Sequence, residues 1–100
     1  MSNIRYASKT DANQKQIVRE LRALGYDVDV VHRLKGLYDL IVSGIPAWAK
    51  CPVGLRVEIK TSEKEPLSPD ELEYWQKQRH LSNLIVAVCT EDVLKWFGRA

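Results

Sequence analysis

The sequence predicts an α/β sandwich: a mixed sheet flanked by helices, in the order α-β-β-β-α-β with one more helix at the C-terminus. Three observations predict it. Apolar residues recur at helical spacing near both ends of the chain, four short segments have strand character, and three of those segments stand close together in sequence. Neighbouring strands with short connections favour a meander, and amphipathic helices bury their stripes against such a sheet.

The first helix is expected from about Asp11 to Leu24, with Ile17, Val18, Leu21 and Leu24 on one stripe and Gly25 as its stop. Residues 1–10 lack periodicity and read as a flexible, slightly basic arm ahead of a single domain, 11–100. Val28 to His32 concentrates β-branched residues and reads as a strand; Lys35-Gly36 supplies a turn, and Asp39 to Val42 is a second strand. Gly44, Pro46, Pro52 and Gly54 make 43–55 a long, turn-rich connection, after which Arg56 to Lys60 alternates as a third strand. Ser68, Pro69 and Glu71 open the second helix with a cap, a first-turn proline and a capping box. Asn83 to Cys89 is nearly continuous apolar, the pattern of a strand buried on both faces, and Thr90-Glu-Asp caps a final helix bearing Val93, Leu94, Trp96 and Phe97.

One hundred residues allow one real core and not two, since a chain of this size buries roughly 60–70% of its unfolded surface. A hydrophobic share of 45% and a charged share of 28% are ordinary for a globular protein. No apolar run approaches the roughly 20 residues that span a bilayer, and the first residues carry no secretion signal, so no membrane partner is expected. Cys51 and Cys89 are far apart, form no Cys-x-x-Cys pair and have neither histidine near them in sequence. The expectation is two reduced thiols in the cytoplasm rather than a disulfide or a zinc site. A net charge of +2 permits nucleic acid as a partner without demanding it.

Chemistry concentrates in the strands. In Arg56-Val-Glu-Ile-Lys60 the side chains alternate, so Arg56, Glu58 and Lys60 share one face while Val57 and Ile59 take the other. Alternating charge on a solvated strand face is the plain alternative. Asp39 opens an otherwise apolar run; it reads either as the end of a turn or as a carboxylate beside Glu58 on the adjacent strand. Two carboxylates about 4 Å apart repel by roughly 4 kcal/mol at an effective dielectric near 20, so such a pair needs a cation. Lys60 supplies part of it, and a divalent ion held by oxygen donors alone would be magnesium or manganese. Gln14 stands three, four and seven residues before Ile17, Val18 and Leu21, which puts an amide at the end of the inward stripe. It reads as a buried amide bonded to a strand end, or as a group orienting a metal ligand.

The order of these features resembles the PD-(D/E)XK nuclease core, and more narrowly the VRR-NUC and Holliday-junction-resolvase-like proteins often found in phages. Asp11-Ala-Asn-Gln14, Tyr38-Asp-Leu-Ile-Val42, Val57-Glu-Ile-Lys60 and Leu67-Ser-Pro-Asp-Glu71 carry the resemblance, which spans 11 to 96. It implies a restriction-endonuclease-like fold and a metal-dependent DNA endonuclease selective for branched, junction or flap DNA, in a bacterial or phage-infected cell. It further implies that Asp39, Glu58 and the main-chain carbonyl of Ile59 hold Mg2+ (or Mn2+), that Lys60 serves the attacking water and the scissile phosphate, and that Gln14 is auxiliary. Two departures stand out: Tyr38 replaces the usual proline, and Glu71 stands where relatives often carry Gln. Glu71 is read as a cap first and a site residue second.

Arg33, Lys35 and Lys64 flank the site strands and are expected to meet DNA phosphates, ordinary solvation being their alternative role. So short a chain cannot encircle a junction, so a homodimer is expected, with Trp48 and Trp96 as interface candidates and core packing as the plainer role for Trp96. Two readings compete with the nuclease: a DNA-binding module of the same fold that does not cut, and a protein-interaction adaptor using its tryptophans.

Overall fold

The computed structural model describes residues 2–31, 38–62, 66–78 and 83–100, with 2–11 described as backbone only. Elements follow the order α1 (Ser2–Ala23), β1 (Asp27–Val30), β2 (Leu40–Gly44), β3 (Val53–Ile59), α2 (Pro69–Gln78), β4 (Leu84–Ala87) and α3 (Thr90–Trp96). The four strands form one sheet in the order β1-β2-β3-β4. The first three pair antiparallel as a meander, and β4 returns parallel to β3 after the α2 crossover. The sandwich of a mixed sheet and flanking helices is thus the one the sequence predicts.

Alternation along β3 divides the two faces. Leu55, Val57 and Ile59 point into the core with Leu40, Val42 and Val28, where Ile17, Val18 and Leu21 of α1 and Val93 of α3 cover them. Phe97, just past α3, joins this layer and packs on Tyr26 and Trp96. Each fully buried aliphatic side chain contributes roughly 1.5–3 kcal/mol, so this one layer carries most of the apolar stabilisation. On the other face, α2 has no buried residue at all. It is attached instead by polar and aromatic contacts to the even-numbered residues of β3.

Local chemistry sets the boundaries. Gly25, at φ 94°, ends α1: its N–H meets the Arg22 carbonyl and the Tyr26 N–H reaches back to Leu21, the double closure that a left-handed residue permits. Gly44 serves close approach instead, because a Cβ there would lie 2.5 Å from the Tyr26 ring.

Several boundaries, and one burial pattern, differ from expectation. α1 starts at Ser2 rather than Asp11, because nothing from Ser2 to Ala12 breaks a helix: that stretch has neither Gly nor Pro. β3 begins at Val53, inside the expected connection, because Gly44↔Val53 and Ser43↔Gly54 extend its pairing with β2. β4 is buried only in part, since Ile85 and Val86 are half-exposed on a strand at the end of the sheet. Cys89, not Thr90, caps α3, because Asp92 turns back to accept the Val88 and Cys89 N–H groups.

Candidate active site

The even-numbered face of β3 carries Arg56 and Glu58, and Lys60, one residue past the strand, continues it; each meets the α2 side of the molecule. Arg56 donates to the Tyr74 hydroxyl (2.6 Å), to Gln78 Oε1 (3.3 Å) and to Asn83 Oδ1 (2.7 Å), with its guanidinium 5.8 Å from the Tyr74 ring centre. Its two terminal nitrogens are therefore spent on the protein, and its buried Nε has no partner among the described residues. Arg56 is the peg that seats α2 on the sheet.

Two residues further on, Glu58 and Lys60 are 5% and 6% exposed, unusual burial for ionisable groups and tolerable only with partners. Lys60 Nζ lies 2.6 Å from Glu71 Oε1 and 3.7 Å from Glu58 Oε1. The same Glu71 oxygen accepts the Ser68 N–H at 2.8 Å, while Ser68 Oγ accepts the Glu71 N–H at 3.2 Å. Both roles weighed for Glu71 are therefore met by one carboxylate: it closes the capping box of α2 and joins the ionic cluster.

Asp39 sits one residue before β2. Its N–H donates to the Val57 carbonyl, and its Oδ2 accepts the Ile59 N–H at 2.7 Å. Those bonds explain why a poor strand former stands there: its carboxylate completes the β3 edge. Asp39 and Glu71 both lie close enough to Glu58 for each carboxyl group to bear on the titration of the others. Three carboxyl groups this close and this shielded from water do not all ionise readily, so one is disposed to keep a proton.

The proton belongs to Glu58. Burial pushes its pKa far above the ordinary glutamate range, reinforced by the Glu71 hydrogen bond and the charges of Asp39 and Glu71, with Lys60 opposing. Asp39 is also raised by burial, against the Ile59 N–H and the Glu58 hydrogen bond. Burial would raise Glu71 too, but the hydrogen bonds from Glu58, Lys60 and the Ser68 N–H outweigh it and hold Glu71 down at about 2. The arrangement is three carboxyl groups, one ammonium and one retained proton.

The amide expected at the end of the α1 stripe is present, but it is Asn13. Its Nδ2 donates to the carbonyls of Lys60 (2.7 Å) and Val88 (3.0 Å), joining the ends of β3 and β4. Gln14 is half-buried beside it. Sequence spacing allows both, because Asn13 precedes Ile17 by four residues and Leu21 by eight. The shorter amide lies closer to the backbone and takes the two carbonyls. Arg33, Lys35 and Lys64 lie outside the described residues. Trp96 packs against the core cluster, and Trp48, 61% exposed, rests edge-on against it with Nε1 donating to the Trp96 carbonyl at 3.3 Å.

No family model, curated protein or solved structure matches the chain. Among the described residues, no group of three or more His, Cys, Asp or Glu side chains forms a cage for a metal ion. No helix among them is long and apolar enough to cross a membrane.

Proposed function

We propose that the protein is a divalent-cation-dependent DNA endonuclease of the PD-(D/E)XK type, acting on branched, junction or flap DNA. The observation that carries the reading is the convergence of half-buried Asp39 with buried Glu58 and Lys60, from the ends of two neighbouring strands, in one cluster. Charged groups are expensive to bury and are retained where chemistry uses them.

Asp39 and Glu58 fit a magnesium ion. They offer oxygen donors only, and magnesium is commonly held by one or two carboxylates with waters and substrate phosphates completing its shell. Ile59 adds support: its N–H already meets Asp39, and in a strand a residue's carbonyl points to the same edge as its N–H. When bound, the ion would lower the pKa of a water and offset charge on the phosphate. Lys60, held on a strand, presents a fixed positive charge where the phosphate charge builds. Gln14 is an auxiliary group at most. A symmetric pair of copies would bring two such sites to branched DNA.

The test is cleavage of labelled duplex, flap, four-way junction and single strand with Mg2+ or Mn2+, beside Glu58→Ala and Asp39→Ala. Metal-dependent cutting that both substitutions abolish is the expected result. Binding without cutting would favour the second reading, a DNA-binding module of the same fold. The short Lys60–Glu71 contact favours that module, since it neutralises the ammonium a cutting enzyme would turn toward phosphate.

A further inference from the structure

Glu71 Oε1 stands at a junction that neither helix capping nor the proposed chemistry requires by itself. It is the acceptor nearest Lys60 Nζ in the cluster, 2.6 Å against 3.7 Å for Glu58 Oε1. The same atom accepts the first free N–H ahead of α2. A carboxylate oxygen beside a buried ammonium offers what a phosphate oxygen would offer: an anionic acceptor at short range.

Resting on the nuclease reading, we propose that Glu71 is a positioning residue that holds the Lys60 ammonium over the site and competes with substrate phosphate for it. Lys60 has a long side chain with much rotamer freedom to lose, and on a strand face it needs an anchor at its charged end. Glu71 is that anchor, and α2 is the rigid element that carries it. The bond is also an obstacle. Phosphate reaches the ammonium only by sharing or displacing a carboxylate that the Ser68 N–H holds in place. DNA therefore binds more weakly than the basic residues alone would allow, and the ammonium is presented in one orientation.

Glu71→Gln separates this role from capping. Glutamine serves in a capping box as well as glutamate does, and its carbonyl still accepts the Ser68 N–H. What it removes is the charge that holds Lys60. Two readouts decide the matter. In 15N-labelled protein, the Lys60 ammonium should give a slowly exchanging side-chain signal that the variant loses, while its circular dichroism keeps the parent's helix content even though its melting temperature falls with the loss of the ion pair. An unchanged signal in Glu71→Gln overturns the proposal, whatever the protein does with DNA. In calcium or EDTA, anisotropy with a labelled four-way junction and a duplex should show the variant binding more tightly. Its salt dependence should be steeper by about one counterion, a slope change near 0.9. Both differences should vanish in a Lys60→Met background. Equal affinity and equal slope in the two proteins overturn the competition. If the parent binds no DNA and cuts none, the nuclease reading and the competition fall together. The ammonium signal then still decides whether Glu71 positions Lys60.

Discussion

Asn13 allows the sharpest test of how the site end of the sheet is held. Its amide donates two hydrogen bonds to backbone carbonyls 47 and 75 residues away, at 2.7 and 3.0 Å, where β3 and β4 finish. Removing it with Asn13→Ala leaves both carbonyls short of a donor in a half-buried setting. At about 1 kcal/mol for each net bond, the loss is roughly 2 kcal/mol. For a domain of this size each kcal/mol moves the midpoint by about 4–8 °C, so a fall of roughly 8–16 °C is expected. Asn13→Asp sharpens the test. An ionised aspartate cannot donate and faces two carbonyl oxygens, so at pH 7 it should cost more than alanine. At pH 3 the protonated acid regains one donor, and the gap to alanine should narrow or reverse. Thermal melts of the three proteins at both pH values measure this. A fall of under 3 °C for Asn13→Ala, or an Asp variant as stable as the parent at pH 7, would refute the claim that these bonds join the strand ends.

Without metal, stability should depend on pH in two opposite ways. The raised pKa of Glu58 gives a contribution fully present below its unfolded value of 4.5 and lost as pH climbs into the alkaline range. Glu71, held at about 2, contributes above 4.5 and loses that contribution as pH falls through its folded value. Melts from pH 2 to 10 should therefore fall off at both ends, with Mg2+ reducing the alkaline loss; an alkaline limb unchanged by Glu58→Gln would count against the assignment. Gly44→Ala places a Cβ 2.5 Å from Tyr26 Cδ1 and should cost about 1–3 kcal/mol, whereas Gly54→Ala, 3.9 Å from its nearest neighbour, should be near neutral in urea melts. Arg56→Met removes the bonds to Tyr74, Gln78 and Asn83 and should cost about 2–4 kcal/mol, with faster hydrogen exchange in α2 than in β3. Uniform exchange across both elements would show that Arg56 does not seat the helix.

The fold was legible where a periodic signal coincided with a physical demand. Alternation in Arg56 to Lys60 placed every side chain of that stretch on its observed face, because a two-residue period leaves no third choice. Capping chemistry located the start of α2 for a similar reason, since Ser68 and Glu71 satisfy donors that nothing else would reach. The cluster of Asp39, Glu58 and Lys60 was anticipated from strand order. Glu71 was only half legible: the capping box is a local pattern, while the bond to Lys60 spans 11 residues and depends on how α2 crosses the sheet. Asn13 was missed in favour of Gln14 because both border the same helical stripe. Side-chain length against a particular pair of carbonyls decides between them, and no periodicity carries that information. The start of α1 is not legible because its first turns lack an apolar stripe.

The two faces of the sheet are bonded by different materials. On one, α1 and α3 adhere through aliphatic and aromatic surface; on the other, α2 adheres through a guanidinium, a hydroxyl, amides and a carboxylate–ammonium contact. Such a laminate has no single response to solvent. Stabilising salts such as sulfate tighten the oily joint, whereas the polar one, built on neutral acceptors and a shielded ion pair, responds to them little, so added salt should stiffen one layer more than the other. Guanidinium chloride, a salt as well as a denaturant, attacks both joints; urea, being neutral, spares the charges. The order in which the layers part should therefore depend on which denaturant is used to part them.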